Sequence, residues 1–394
     1  MYYNEFNGDR LSALGFGTMR LPLLPGGSAA DIDKELLRRM FRTAIEGGVN
    51  YFDSAWVYHD SLSETVTVEL LSEYPRDSFY LATKYPGHQI SSSYDPRATF
   101  EEQLRKCRVE YFDYYLFHNV NNLSIETYLD PKWGMLDTMI EEKKRGRIRH
   151  LGFSCHGDLQ CLERFIEAGK GELEFCQIQL NYLDWSLQDA KAKYKLITEK
   201  GLGVWVMEPV RGGKLANLPE EDAALLQSLH PGESCASWGF RWLQGLPNVK
   251  MILSGMSLPD QVEDNLRTFA ERRPLAEGEA EVLYSIAEKM KSSVPCTACR
   301  YCCEGCPAQL DIPGLIRVYN DLQLAKGPTM SIAIDSIRKT SRPEDCISCG
   351  QCEKICPQGI PVPELMKTMR SEFDAMPTWE EICRAREEKM KNAR

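Results

Sequence analysis

The stretch "GVNYFDSAWVY", residues 48–58, decides how the chain is read. Within it "YFDSA" (51–55) is a short apolar run carrying one acid. An amphipathic helical period, "DKELLRRMFRTAIEGG" (33–48), precedes it, and another, "LSETVTVELLSEY" (62–74), follows. The alternation continues in both directions. Further short runs are "ALGFGTM" (13–19), "FYLATKY" (79–85), "YYLFHNV" (114–120), "RHLGFS" (149–154), "FCQIQLN" (175–181), "GVWVMEP" (203–209) and "KMILSG" (250–255). Helical periods such as "DLQCLERFIEAGKG" (158–171) separate them. Eight strand–helix units over residues 1–272 predict an α/β fold, a (β/α)8 TIM barrel. Strands buried on both faces explain the apolar runs where a half-exposed strand would alternate.

Active sites of such barrels form at the C-terminal ends of the strands. Those ends carry Asp53, Lys84, His118, Ser154, Gln177, Asn181, Glu208 and Ser254. So many polar groups closing apolar strands predict a polar pocket.

The segment 48–58, with Lys84 in "LATKY" and His118 in "LFHN", resembles the aldo-keto reductase family over roughly residues 8–270. The resemblance implies a catalytic tetrad of Asp53, Tyr58, Lys84 and His118. The chemistry is consistent on its own terms. Reducing a carbonyl needs a hydride on carbon and a proton on oxygen. Tyrosine, with a free pKa of about 10, is a poor acid. An ammonium at Lys84 stabilises its phenolate. Asp53 keeps that ammonium charged, and His118 polarises the carbonyl with a ring N–H.

The resemblance also implies a nicotinamide cofactor, NAD(H) or NADP(H). Ser154 and Gln177 match residues that grip the nicotinamide amide, although Cys155 stands where the family has Asn. Met207 stands where an aromatic ring stacks on the nicotinamide. Thr18 and Met19 match the ribose side. Gly212, Gly213, Lys214 and Leu215 match the pyrophosphate loop. Ser254, Gly255 and Met256, followed by Gln261 and Asn265, match the adenosine end, with a helix start for phosphate. Ser257 replaces the basic residue often used for the 2′-phosphate, which favours NADH, with Arg267 or Arg211 as substitutes. The changes at Cys155 and Met207 leave room for a flavin, for which no motif is present.

Beyond a linker helix at 273–295, residues 296–394 open with "CTACRYCCEGCP" (296–307), and the spacing returns in "CISCGQCEKICP" (346–357). C-x2-C-x2-C-x3-C-P is the bacterial ferredoxin run for a [4Fe–4S] cluster, in which the fourth cysteine serves the other cluster. Zinc sites show more widely separated pairs. Cluster one is therefore assigned to Cys296, Cys299, Cys302 and Cys356, and cluster two to Cys346, Cys349, Cys352 and Cys306. Cys303 offers an alternative to Cys302. The 39 residues between Cys306 and Cys346 read as helices, predicting a mainly helical two-cluster ferredoxin-like domain.

The remaining features set bounds. Of 15 cysteines, eight hold the motif positions of the two runs, leaving seven others including Cys303, and no export signal is visible. Iron ligation in a reducing, cytoplasmic setting is thus expected over disulfides. A net charge of −10 argues against nucleic acid and anionic membrane as partners. The expected partners are a small-molecule carbonyl or alcohol substrate and a protein electron donor or acceptor. Three roles stay open at this level: clusters that relay electrons to or from the barrel site, structural or redox-sensing clusters beside a plain NAD(P)H carbonyl reductase, or a non-enzymatic electron-carrier subunit.

Overall fold

The structure is a computed structural model. It describes the whole chain except residues 90, 291–293, 295, 297–299, 325, 357, 358, 393 and 394, and only the backbone of 301, 304 and 392. Cys299 lies outside the described residues. Two compact units are present, one from Met1 to Tyr284 and one from Ser285 to Lys391. The division falls within the helix Glu279–Met290, later than the 272 expected. The reason is side-chain pairing: Glu279 meets Arg241 at 2.9 Å and Tyr284 receives Trp242 Nε1–H at 3.0 Å.

Among the described residues the first unit has ten strands. They are β1 (Tyr3–Phe6), β2 (Asp9–Ser12), β3 (Leu14–Gly17), β4 (Tyr51–Asp53), β5 (Tyr80–Tyr85), β6 (Phe112–Val120), β7 (Ile148–Cys155), β8 (Phe175–Gln179), β9 (Gly203–Met207) and β10 (Val249–Ser254). Strands β3 to β10 close a barrel of parallel neighbours, β10 pairing β3 with Ile252 opposite Leu14. These are the eight strands expected. The antiparallel pair β1–β2 was not expected. Its turn, Asn7-Gly8, takes positive φ at both residues (48° and 96°), the geometry that suits a two-residue hairpin. Phe6 packs edge-on to Trp205 at 4.7 Å in one buried cluster with Leu11, Tyr114 and Phe175.

The helices begin where the sequence supplies caps. Asp33 accepts from Leu36 N at 2.9 Å, Asp95 from Ala98 N at 2.9 Å and Asp158 from Cys161 N at 2.8 Å. Each satisfies an N–H that the helix cannot. The helix Lys34–Glu46 buries Leu37, Met40, Phe41 and Ala44 on one face, the spacing of an amphipathic helix.

In the second unit the repeat extends well past the cysteines. Short helices start at Tyr301 and Gln351, each after a left-handed residue, Arg300 (φ 66°) and Gly350 (φ 72°). Cys306 N donates to Cys303 O at 3.2 Å, and Cys356 N to Glu353 O at 3.3 Å. Gln309 and Gly359 both have positive φ. Helices Ile312–Leu324 and Val362–Asp374, of 13 residues each, then begin 50 residues apart. With the helix Pro328–Ile337, they bury Leu315, Ile316, Met330, Ile334, Met366, Met369 and Phe373 in a common core. No helix among the described residues is long and apolar enough to cross a membrane.

Candidate functional site

Asp53, Lys84 and His118 lie at the C-terminal ends of β4, β5 and β6. Lys84 Nζ donates to Asp53 Oδ1 at 2.5 Å and to Ser54 O at 2.6 Å, with no solvent exposure of the lysine side chain. Tyr58 comes from the loop after β4. Its ring centre lies 5.0 Å from Lys84 Nζ and 5.6 Å, edge-on, from the His118 ring. Backbone geometry fixes two of these groups. His59, Asp60 and Ser61 all have positive φ (52°, 50° and 70°), a costly conformation for non-glycine residues. His59 stabilises it, accepting from Leu21 N at 3.0 Å and bonding Ala29 O at 2.8 Å. Register shifts between Phe117 and Val120, where Asn119 takes φ 55°. Such a bulge re-aims a strand side chain, here His118, whose carbonyl accepts from Tyr128 Oη at 2.6 Å.

The charges follow from burial. Burial alone pulls the Lys84 ammonium pKa down, but Asp53 and the Tyr58 hydroxyl outweigh it and the net direction is up. The site therefore holds a charged lysine. Burial raises the Tyr58 phenol above its ordinary value, with Lys84 opposing and Asp53 adding. The ammonium offsets the cost of a buried phenolate without reversing it. Gln103, behind this cluster, donates to Lys84 O at 3.1 Å and to Glu64 Oε1 at 2.6 Å, and accepts from Tyr115 Oη at 2.5 Å. It is a positioning residue that sequence reading did not find.

The cofactor residues divide into groups. Gln177 is buried, and its Oε1 has no hydrogen-bond partner among the described residues, while its Nε2 faces Met207 Sδ at 3.7 Å. An orphaned acceptor beside an apolar surface fits a nicotinamide carboxamide. Ser154 Oγ accepts from Asn119 N at 2.7 Å, and Cys155 is buried. Gly212 and Gly213 have φ of 63° and 97°, an open backbone suited to close approach by a phosphate; Lys214 follows them. Thr18, Leu215 and Met256 bury their side chains, leaving only backbone for a ligand, whereas Met19 is exposed. Thr18 Oγ1 is bonded to Asp53 O at 2.9 Å.

At the adenosine end, Ser254 Oγ accepts from Asn265 Nδ2 at 3.0 Å, and the side chain of Arg20 runs 3.4 Å from where a Cβ on Gly255 would stand. Gln261 Oε1 turns back to take Ser257 N at 2.8 Å and Leu258 N at 3.2 Å. The side chain thereby occupies the helix-start N–H groups that sequence reading assigned to phosphate. Arg267 is exposed and pairs with Asp264 at 3.1 Å. Arg211 is buried, pairs with Asp184 at 3.2 Å, and has φ 48°; its Nη1 has no partner among the described residues.

In the second unit one cavity is lined by Cys306, Cys346, Cys349 and Cys352, with Ile347, Leu310, Val362 and Met366 among its walls. These are the four cysteines of the crossed assignment for cluster two. Three come from the second run and one from the first. Cys302 holds the same place in the first short helix as Cys352 in the second. Burial, with Cys303 and Cys296 beside it, pushes the Cys302 thiol up to about 12. Cys296, Cys303 and Cys356 pack against the same core. Four cysteines in ferredoxin spacing are the donors an iron–sulfur cluster would use, although among the described residues no three His, Cys, Asp or Glu side chains already converge on one metal position.

A buried lysine–aspartate pair, a tyrosine and a histidine at successive strand ends of a (β/α)8 barrel define an oxidoreductase site. The chain belongs to the aldo/keto reductase family, whose model matches residues 13–288, and a 4Fe-4S dicluster domain model matches residues 295–360. It is 25% identical over 288 residues to the L-galactose dehydrogenase of Arabidopsis thaliana, covering 68% of this chain and 87% of the relative. It is 22% identical over 293 residues to an aldehyde reductase of Saccharomyces cerevisiae, covering 67% and 88%. An aldo-keto reductase from Bacillus halodurans, solved in its holo form, superposes with a TM-score of 0.59 at 24% identity, covering 73% of this chain and 96% of that one.

Proposed function

We propose that the chain reduces a small carbonyl substrate, or oxidises the corresponding alcohol, at the Asp53–Tyr58–Lys84–His118 site with NAD(H) or NADP(H), and that two [4Fe–4S] clusters relay electrons to or from that site. The observation that carries the barrel chemistry is the fully buried Lys84 ammonium, held by Asp53 at 2.5 Å beside the Tyr58 phenol. A nicotinamide held by these residues would supply hydride chemistry, and the clusters would supply one-electron transfer. The chain's own residues do the rest. His118 orients the carbonyl oxygen, Tyr58 gives or takes the proton there, and Lys84 stabilises the phenolate. Gln177 Oε1 would hold the amide end of the cofactor, and Gly212 and Gly213 would admit its phosphates.

For the clusters, we take Cys306, Cys346, Cys349 and Cys352 as one ligand set, and Cys296, Cys299, Cys302 and Cys356 as the other. Relay is favoured over a purely structural role because Cys349 and its neighbour Ile347 are exposed. A cluster held there lies within reach of a protein electron carrier at the surface.

An anaerobic visible spectrum, recorded before and after NADH and then NADPH, tests the proposal. Bleaching of the iron–sulfur band by one nicotinamide is expected, and the same spectrum reveals any flavin. A band that resists both nicotinamides yet bleaches with dithionite sinks the relay and leaves carbonyl reduction standing. Turnover that survives Tyr58→Phe sinks the carbonyl chemistry.

A further inference from the structure

We infer that His88 and Gln89 form a second polar subsite beside His118, which selects carbonyl substrates bearing a hydroxyl within one or two carbons of the carbonyl. The inference rests on the carbonyl-reductase reading above. Residues 86–89 leave the end of β5, just past Lys84. At Gly87 a Cβ would lie 2.5 Å from Tyr128 Cε1 and 2.9 Å from Tyr85 Cε1. The loop therefore presses directly onto Tyr128, the residue whose hydroxyl holds His118 O at 2.6 Å. One tyrosine thus anchors both the loop and the backbone of the carbonyl-orienting histidine. As a result the His88 ring stands edge-on to His118 with centroids 4.5 Å apart. Tyr58, His118 and His88 form a continuous run of rings, with His88 at the end away from Tyr58.

Gln89 supplies the second observation. It is only 8% exposed and His88 only 3%. Gln89 Nε2 lies 2.8 Å from His88 Nε2, while Gln89 Oε1 is buried with no hydrogen-bond partner among the described residues. Turning the amide over exchanges the two atoms and still leaves one of them unmatched. Buried polar atoms without partners are rare. In a reaction pocket they mark where a polar group of the ligand belongs. The carbonyl oxygen is already served by His118 and Tyr58. A simple aldehyde leaves the Gln89 atom unmatched, whereas a hydroxyl is donor and acceptor at once and satisfies it in either orientation.

The test compares kcat/KM for glyceraldehyde and propanal, with saturating NADH or NADPH, in the full-length wild type and in Gln89→Leu. The wild type should prefer glyceraldehyde. Gln89→Leu should lower its kcat/KM about tenfold, mainly through KM, and leave propanal within about twofold. Equal losses on both aldehydes would make the pair structural and overturn the inference, as would a wild type that prefers propanal. If Gln89→Leu does not fold, Gln89→Met removes the same polar atoms with an unbranched chain and reads the same ratio. Tyr58→Phe separates this inference from the function it rests on. It should abolish turnover of both aldehydes, and persistence of both would sink the carbonyl-reductase reading itself. Saturation-transfer NMR of propane-1,2-diol against propan-1-ol reads the hydroxyl preference without turnover. Equal saturation of the two in the wild type counts against the subsite.

Discussion

Asp53→Asn is the most informative single change. It keeps the shape of the side chain and replaces the carboxylate 2.5 Å from Lys84 Nζ with a neutral amide. The two side chains are 4% and 0% exposed, so neither water nor salt can take over the lost charge. Removing one partner of a buried pair costs about 3–5 kcal/mol, against a total stability of about 5–15 kcal/mol. The Ser54 carbonyl at 2.6 Å and the Tyr58 hydroxyl still bond the ammonium, but neither carries a compensating charge. The pH dependence has a definite sign. In the wild type the Lys84 pKa is raised. Its contribution is fully present below the unfolded value of about 10.4 and is lost only as pH rises through the higher folded value. In Asp53→Asn, burial acts without that opposition and the folded pKa falls. The variant then gains stability as pH rises from the lowered value towards about 10.4, so the gap to the wild type narrows. Urea unfolding followed by tryptophan fluorescence measures this, since six of the seven tryptophans precede residue 285. A loss under about 1 kcal/mol at pH 7, or a gap that widens towards pH 10, would refute the reasoning.

Further outcomes follow from other contacts. His150 bonds Glu174 at 2.6 Å and faces Asp9 at 3.2 Å; burial lowers its pKa, but these carboxylates outweigh it and raise it to about 9. Its stabilisation is complete below about 6.5 and is lost as pH rises through 9, up to about 3 kcal/mol; melts from pH 6 to 9.5 should show that slope in the wild type and not in His150→Gln. Gln177→Leu should weaken nicotinamide binding about tenfold in a fluorescence titration; unchanged affinity would place the amide elsewhere. Crossed ligation predicts that Cys296→Ala with Cys302→Ala retains about four irons per chain. Adding Cys306→Ala should remove them, and adding Cys356→Ala should not; the reverse order in an iron assay would show each run holding its own cluster.

The barrel was legible because its strands are buried on both faces, so "YFDSA" and "GVWVMEP" stand out as apolar runs ending in polar residues. The strand ends pointed to Asp53, Lys84 and His118 as a group, and Tyr58 joins them from the loop after β4. The hairpin was not read, although Asn7-Gly8 is a strong turn signal, because its strands of four residues are too short to show a period. The extent of the second-unit repeat was hidden for a different reason. Ile312–Leu324 and Val362–Asp374 bury matched residues only at Ile312/Val362, Ile316/Met366 and Tyr319/Met369 and have little residue identity. The direction of the Tyr58 shift depends on how much water the folded site excludes, and the Gln261 turn depends on a side-chain rotamer. Neither is a property of spacing. Arg211 read as one basic residue among several, and only the fold shows it buried against Asp184.

The N-terminal hairpin has a consequence for how the chain reaches this state. Tyr2 N donates to Phe269 O at 2.9 Å, their rings stack at 5.9 Å, and β3 closes the barrel against β10. These early strands therefore wait for partners some 250 positions further along the chain. Contacts of such sequence separation form slowly, and the unpaired edges of β3 and the growing sheet stay exposed meanwhile. Barrel closure, with Phe6 reaching Trp205, is then a late event of folding, and until it occurs the sheet edges at β3 and β10 need protection.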